Sequence, residues 1–194
     1  MKKTLLLLAN GFEILEASAF IDVMGWNLLE GDQTTELITC GLRKEINSSF
    51  NQKFIVNCTI EEVDVDAYDA LVIPGGFEVY GYYKDAYSKQ FLELIHEFNK
   101  QNRIIASVCV GALPISKRGI LVGKYGTTYN NEPRRNELKK FGVTVINKNI
   151  VIDDKIITSN GPSTAIEVAF LVLERLTSKE NSVRVRKLMG FINV

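Results

Sequence analysis

The sequence has no excess of either charge and is poor in histidine, cysteine and tryptophan. Its 194 residues contain 23 Lys and Arg against 23 Asp and Glu, with one His, three Cys and one Trp. Nucleic acids and anionic membrane surfaces attract proteins that carry an excess of basic residues. Because none is present, we expect neither a nucleic acid nor a membrane surface as a partner.

Long apolar runs are also missing. No stretch approaches the length of about 20 apolar residues that a membrane-spanning helix needs. The run over residues 5–9, which follows Lys2 and Lys3, is too short for the core of a secretion signal, and no small-residue cleavage site comes after it. We therefore interpret this run as a buried first strand and expect no membrane segment.

Cysteine is scarce, and its arrangement excludes two common roles. Cys40, Cys58 and Cys109 are odd in number, and their spacing fits no metal site. Free thiols are typical of the reducing cytoplasm. We therefore expect a cytoplasmic protein with no metal and no other cofactor. Cys40 and Cys58 fall in predicted strands and are interpreted as packing residues.

The rest of the chain alternates apolar strand-like runs with helical periodicity. We predict strands over residues 4–9, 34–40, 54–58, 70–73, 103–107, 125–128, 143–146, 150–153 and 155–158. Helices are predicted over residues 17–29, 88–100, 111–118, 131–140, 165–176 and 181–189. Buried strands that alternate with helices predict a mainly parallel sheet covered on both faces, a three-layer α/β/α sandwich. With no repeat or linker, residues 1–194 are expected to form one domain that ends in a helix and tail over 179–194.

Three groups of residues follow predicted parallel strands. Glu16 comes soon after the first strand, Gly75 and Gly76 follow residues 70–73, and Cys109 follows residues 103–107. The carboxyl ends of parallel strands share one edge of the sheet, where ligands bind at the switch point. His96, the single histidine, lies late in a helix that returns to the start of the next strand. We therefore expect His96 on the opposite edge, outside the site.

Cys109 sits where an apolar strand turns into a helix, within "IIASVCVGAL". A sharp strand-to-helix turn exposes the side chain at its apex, and the backbone N–H groups of the following helix favour a negative charge there. This arrangement predicts a reactive thiolate of lowered pKa. The alternative is a buried cysteine that only fills space.

The other two groups suggest how such a thiolate would be supported. Gly75 and Gly76 let backbone N–H groups approach a reacting atom, as an oxyanion hole requires, although a plain turn would look the same. A carboxyl group beside a thiolate has a raised pKa, so Glu16 would hold a proton and donate it. The alternative is a solvated first-turn glutamate that stabilises the helix. Glu13, one turn earlier, is the less favoured candidate.

Together these segments resemble a known family. "NGFEILEASAFIDVMGW", "YDALVIPGGFE", "IIASVCVGAL", "GTTYN" and "IITSNGPSTAIEVAFLVLERL" occur in the order seen in the DJ-1/ThiJ/PfpI superfamily, which has the class I glutamine-amidotransferase-like fold. The resemblance implies a flavodoxin-like sandwich with a nucleophile elbow, and usually a homodimer. It makes Cys109 the elbow cysteine and Glu16 its carboxyl partner, and it places the backbone of Gly75, Gly76 and Val110 in the oxyanion region.

Departures of this sequence from the family pattern limit the reactions that we expect. Tyr129 stands where many relatives carry a histidine, and tyrosine is a poor base at neutral pH. Amide hydrolysis needs a protonated leaving amine, so a protease is disfavoured. Isocyanide hydration is disfavoured because Val110 follows the cysteine where those relatives have threonine, and because an aspartate takes the place of Glu16 in them. Phe12, Phe77 and Tyr80 are expected to wall the pocket.

Two functions remain open. In the first, Cys109 attacks a small reactive aldehyde such as methylglyoxal and Glu16 shuttles the proton, which is glyoxalase or deglycase chemistry. In the second, the protein is a non-enzymatic sensor of oxidative stress whose Cys109 is oxidised to a sulfinate that Glu16 stabilises. The expected partner is therefore a reactive aldehyde or an oxidant. Arg134 and Arg135 are interpreted as solvated helix residues.

Overall fold

The computed structural model describes residues 1–191, so the last three residues of the predicted tail lie outside the described part. The strands are β1 (Lys2–Leu8), β2 (Thr35–Gly41), β3 (Glu45–Asn47), β4 (Lys53–Ile55), β5 (Cys58–Thr59), β6 (Ala70–Ile73), β7 (Ile104–Ser107), β8 (Tyr125–Gly126), β9 (Thr144–Val145), β10 (Ile150–Asp153) and β11 (Ile156–Ser159). The α-helices are α1 (Ile14–Glu30), α2 (Tyr82–Ala86), α3 (Lys89–Lys100), α4 (Ala112–Lys117), α5 (Glu132–Lys140), α6 (Ala165–Leu176) and α7 (Lys179–Leu188).

Seven of these strands form the central sheet, in the order β10-β11-β7-β6-β1-β2-β5. All neighbours are parallel except β10 and β11, which form an antiparallel hairpin at one edge. The strand order reverses at β1. The next strand along the chain, β2, lies on one side of β1, and β6 lies on the other side. The carboxyl ends of β1 and β6 therefore flank the switch point, where a ligand crevice is expected.

The central strands are apolar because both faces of the sheet are covered. Residues 5–8 of β1 and 70–73 of β6 are all fully buried. Helices α1, α6 and α7 pack together as one layer, and α2 to α5 pack in sequence as the other. Right-handed crossovers place the two sets of helices on opposite faces, because the chain proceeds from β1 toward one edge of the sheet and from β6 toward the other edge. The predicted flavodoxin-like α/β/α sandwich with a mainly parallel sheet is confirmed.

The strand predicted over residues 54–58 is wrong, because that segment is divided between two sheets. Residues 53–55 pair with β3 in a separate antiparallel hairpin, and residues 58–59 join the edge of the central sheet. Between them the Asn57 side chain accepts hydrogen bonds from the N–H and the hydroxyl of Thr39 at 2.9 and 2.8 Å. These bonds take the place of a strand ladder at this point.

The C-terminal helix is fixed to the domain by a buried amide contact. Asn181 of α7 donates a hydrogen bond of 2.7 Å to the side-chain oxygen of Asn27 in α1, and both side chains are buried. Helix α7 thus packs on α1 and α6. Within residues 1–191, none of the helices combines the length and the apolar character needed to cross a membrane.

Candidate active site

Cys109 occupies a strained turn between β7 and α4. Its φ is +55°, in the left-handed region that residues other than glycine rarely adopt. The turn is held from both sides: Val108 N–H donates to the carbonyl of Ile73 at 3.1 Å, and the Thr128 hydroxyl donates to the carbonyl of Cys109 at 3.0 Å. Such a conformation costs about 1–3 kcal/mol and persists only where surrounding contacts enforce it. The geometry is that of a nucleophile elbow.

Two glycines allow the elbow to approach the end of β6. A Cβ atom on Gly111 would lie 2.4 Å from the carbonyl oxygen of Ile73. A Cβ atom on Gly75 would lie 2.8 Å from the Cβ of Cys109 and 3.1 Å from Oε2 of Glu16. Gly75 therefore lies between the cysteine and the carboxyl group, and the missing side chain lets them approach each other. The structure thus brings together Cys109, Glu16 and Gly75, as the sequence predicted.

Glu16 is fully buried in the first turn of α1. Its Oε2 accepts a hydrogen bond of 2.6 Å from Gly75 N–H, whereas Oε1 is buried without a hydrogen-bond partner among residues 1–191. Burial, followed by the nearby charge of Glu13, raises the pKa of Glu16 to about 8. Because Oε2 accepts this bond and Oε1 has no donor facing it within the described part of the chain, we assign the proton of the neutral acid to Oε1. The solvated glutamate considered from the sequence is therefore wrong.

The expected low pKa of Cys109 is wrong. Burial raises the pKa of this thiol, the electrostatic effect of the neighbouring Glu16, to the extent that it is ionised, raises it further, and the hydrogen bond from Val110 N–H only partly offsets these effects. Helix α4 has six residues, so its dipole supports an anion weakly. The sulfur is consequently a thiol at neutral pH, and its reactivity requires a base to take its proton.

Cys109 opens into a cavity of about 440 Å³. The cavity is also lined by Gly76, Phe77, Val110 and Tyr129, each of which was expected in the site or its walls. Cys109 is only 7% exposed, so a reagent reaches the sulfur through this cavity. The volume lies within the range of about 300–1,000 Å³ that is usual for small-molecule sites.

The two glycines after β6 have different backbone roles. Gly75 N–H is engaged by Glu16, which removes it from the predicted oxyanion hole. Gly76 is paired with Phe12 in an isolated β-bridge. The hydrogen bonds of this bridge are made by the residues on either side of Gly76 and Phe12, not by Gly76 itself. Among the residues described, no hydrogen bond occupies the N–H of Gly76, which lines the cavity. Gly76 and Val110, whose backbones line the cavity, are therefore the remaining candidate donors to an oxyanion.

Two of the predicted pocket walls lie elsewhere. Phe12 is fully buried and packs edge-to-face on Phe54, with ring centroids 5.4 Å apart. The bridge to Gly76 holds the backbone of Phe12 at the site, but its ring faces the core. Tyr80 packs against Phe77, with centroids 6.3 Å apart, and borders a neighbouring groove. Neither ring is among the residues that line the cavity of Cys109.

Arg134 and Glu13 line the cavity, although the sequence favoured neither of them for the site. Arg134 stacks over the ring of Tyr83, 4.6 Å from its centroid, and donates a hydrogen bond of 2.7 Å to the carboxylate of Glu78. These two contacts hold Arg134 at the cavity wall. Glu13, the less favoured glutamate, is half-buried at the cavity wall, and burial raises its pKa. No local motif marks them, since they meet only when α1, α2 and α5 pack around the elbow. Arg135 bonds Asn130 and Asn147 outside the cavity.

His96 has no place among the residues that line this cavity. It lies in the second half of α3, whose C-terminal end leads into the start of β7. The elbow lies at the other end of β7. Any chemistry in the cavity must therefore proceed without the imidazole of His96. Tyr129, at the position where many relatives carry a histidine, is 43% exposed at the cavity wall.

The chain is thus an α/β protein with a flavodoxin-like sheet, and a cysteine at a strand-to-helix elbow lies beside a buried carboxyl group at the carboxyl edge of that sheet. The chain belongs to the DJ-1/PfpI family, which it matches over residues 2–175. The resemblance noted in the sequence is thereby confirmed.

Several relatives and solved structures are similar to the chain. It is 28% identical to protein dj-1beta of Drosophila melanogaster, over 96% of this chain and 95% of that protein. The crystal structure of Drosophila DJ-1beta superposes with a TM-score of 0.85 over 97% of both chains. Glutathione-independent glyoxalase DJR-1.2 of Caenorhabditis elegans is 26% identical over 90% of this chain and 86% of its own.

Other relatives are longer. DJ-1 homolog B of Arabidopsis thaliana is 27% identical over 93% of this chain, but the match spans 39% of that protein. DJ-1 homolog A is matched over 46% of its length. The chain thus spans about half or less of these curated relatives.

Proposed function

We propose that the protein is a cysteine-dependent glyoxalase that converts small 2-oxoaldehydes, with methylglyoxal as the type substrate, into hydroxy acids without glutathione. The observation that carries the proposal is the pair formed around Gly75. A thiol at a cavity faces a buried carboxyl group whose pKa is about 8. A base with a pKa near the working pH is best suited to proton transfer. The name of the worm relative, a glutathione-independent glyoxalase, supports the same chemistry.

The first step joins the thiol to the aldehyde. The ionised fraction of Glu16 accepts the thiol proton as the sulfur of Cys109 attacks the aldehyde carbon, and a C–S bond forms. Glu16 passes this proton to the carbonyl oxygen, which becomes the hydroxyl of a hemithioacetal, and Glu16 is ionised again. The N–H groups of Gly76 and Val110 are the backbone donors available to this oxygen as negative charge develops on it.

The next steps move hydrogen within the substrate. Glu16, ionised again, removes the proton from the former aldehyde carbon, and the hydroxyl proton of the hemithioacetal moves to the neighbouring ketone oxygen, which gives an enediolate. Glu16 then returns its proton to the neighbouring carbon. The product is a hydroxyacyl thioester on Cys109. Water then cleaves the C–S bond, which releases the hydroxy acid and restores the thiol. Methylglyoxal and water thus yield lactic acid with no change in total oxidation state.

The residue at position 129 supports this reaction over amide hydrolysis. None of these steps expels an amine, so no acid is needed to protonate one. A cysteine hydrolase of amides uses a histidine for that transfer. Tyr129 is what the chain places at the cavity wall instead.

The test is lactate formation from methylglyoxal by the purified protein. Cys109→Ser should abolish it, while His96→Ala, which alters a residue outside the cavity, should leave kcat/KM unchanged. Lactate formation that survives in the Cys109→Ser protein would contradict the proposal. Loss of activity in the His96→Ala protein would contradict the placement of the site.

A second candidate is a redox sensor in which Cys109 is oxidised to a sulfinate. It is favoured by Oε1 of Glu16, which is buried without a partner among the described residues and would carry the proton for a hydrogen bond to a sulfinate oxygen. The discriminating result is a gain of two oxygen atoms on Cys109 under mild peroxide, in a protein that forms no lactate.

We also propose that the protein is a homodimer that uses the outer face of α1. Leu15, Trp26 and Leu29 lie on this face and are 60%, 41% and 73% exposed. Exposed apolar surface of this kind is typical of an interface. Leu29→Lys should shift the mass measured by light scattering to that of a monomer. Val122→Lys, which alters an apolar residue that is 62% exposed but not on α1, should not.

A further inference from the structure

Cys40 and Cys58 are the two cysteines that the proposed reaction leaves unused, and they face each other. They are register partners in the neighbouring parallel strands β2 and β5. Residues paired in this way project from the same face of the sheet, on strands about 4.7–4.9 Å apart. A disulfide spans Cα atoms about 4.4–6.8 Å apart. The pair therefore lies within bridging range, although the sequence predicted two separate packing residues.

The two thiols differ in access and are close enough to affect each other. Cys40 is fully buried, whereas Cys58 is half-buried, and its sulfur donates a weak hydrogen bond of 3.7 Å to the carbonyl of Thr39. Burial and then the neighbouring Cys58 raise the pKa of Cys40. An oxidant therefore meets Cys58 first, and Cys40 is the thiol positioned to react with the product.

Strand β5 is suited to the small movement that bond formation requires. It has two residues and lies at the edge of the sheet, paired only with β2. Its register with β2 consists of two residue pairs, Cys40 with Cys58 and Gly41 with Thr59. A shift of this short strand disturbs few hydrogen bonds, in contrast to the fully buried central strands.

We propose that Cys40 and Cys58 are a redox pair that forms an intramolecular disulfide when the protein meets a hydroperoxide. The Cys58 thiol is first oxidised to a sulfenic acid, and the peroxide is reduced to water or an alcohol. The sulfur of Cys40 then attacks the sulfenic sulfur, an S–S bond forms, and the S–O bond breaks with loss of one water molecule. Thiols of the reducing cytoplasm reverse the reaction, as for other transient redox-sensing disulfides.

The bridge would act on the segment that it closes. Residues 41–57 carry the β3–β4 hairpin, and the connection between these strands places Phe50 against Phe77, with ring centroids 5.7 Å apart. Phe77 lines the cavity of Cys109. The disulfide therefore tethers both ends of a segment that touches the cavity wall, while its sulfur atoms lie outside that cavity.

The experiment uses the Cys109→Ser protein, in which Cys40 and Cys58 are the remaining thiols. It is treated with one equivalent of hydrogen peroxide, denatured, alkylated with N-ethylmaleimide and weighed intact. We expect a product that has lost two hydrogen atoms, takes up no maleimide and regains two reactive thiols with dithiothreitol. Proteolysis should yield a peptide pair joined through Cys40 and Cys58. Wild-type protein should show the same bridge.

The control removes one partner. The further substitution Cys58→Ser, at the half-exposed position, should leave Cys40 fully alkylatable after the same treatment, and circular dichroism verifies its fold. The proposal is overturned if both thiols still react with maleimide, if oxygen atoms add without a bridge, or if the disulfide joins two chains on a non-reducing gel. None of these outcomes depends on glyoxalase activity, which is scored separately with Cys109 intact.

Discussion

Replacing Glu16 with glutamine should change how the stability of the protein depends on pH. Glutamine has nearly the same shape, still accepts the hydrogen bond from Gly75 N–H, and does not titrate. In the wild-type protein the pKa of Glu16 rises from an ordinary 4.5 to about 8 on folding, chiefly through burial. Between these two pH values the folded protein keeps a proton that the unfolded chain has released.

The size of the effect follows from the pKa values. Since one pKa unit corresponds to about 1.4 kcal/mol, a change from 4.5 to about 8 is worth about 5 kcal/mol. The contribution is fully present below pH 4.5 and is lost as the pH rises to 8, because the folded state then must bury a charge. Native domains are stable by about 5–15 kcal/mol, so the loss is readily measured.

The assay is urea unfolding of both proteins at pH values from 4.5 to 8.5. The free energy of unfolding of the wild type, minus that of Glu16→Gln, should fall with a slope approaching 1.4 kcal/mol per pH unit, about that of a single proton. The control is Glu30→Gln, at an exposed position at the other end of α1, which should leave the pH dependence unchanged. A difference between wild type and Glu16→Gln that does not vary with pH would refute the assignment of a buried, protonated carboxyl group.

The remaining predictions concern the site and its geometry. The kcat/KM for methylglyoxal should rise with pH up to about 8, as Glu16 ionises, and Glu16→Gln should lower it by about 10²-fold or more; a flat profile in the wild type would contradict this. Gly75→Ala should remove activity and destabilise the protein by about 1–3 kcal/mol, because its Cβ would lie 2.8 Å from that of Cys109. In Gly25→Ala, where a Cβ meets nothing within 4 Å, thermal unfolding should show no loss, since alanine favours the helix. Equal loss in both glycine variants would argue against a close approach at Gly75.

The sequence predicted those parts of the molecule that depend on local pattern. The apolar run of β6 and the amphipathic helix α6 have the bounds expected from their periodicity. The edge at which Glu16, the glycines and Cys109 meet follows from strand direction alone. These features need no knowledge of which side chains pack together.

Other features depend on contacts between distant segments, and local pattern does not contain them. The strand predicted over residues 54–58 is divided because Asn57 bonds Thr39 in another strand. The pKa of Cys109 was predicted in the wrong direction because the burial of its sulfur, which is the largest effect on that pKa, arises only on folding. Arg134 enters the cavity wall through Tyr83 and Glu78, neither of which is near it in the chain.

The central claim is that the sulfur of Cys109 bonds covalently to an aldehyde while Glu16 moves the proton. It is tested most directly by adding methylglyoxal to the protein, quenching with acid within a turnover, and weighing the peptide that contains Cys109. We predict a gain of one methylglyoxal on that peptide in the wild type, a smaller gain in Glu16→Gln, which lacks the base for the thiol proton, and none in Cys109→Ser. Lactate formation with no adduct on Cys109 would contradict the account.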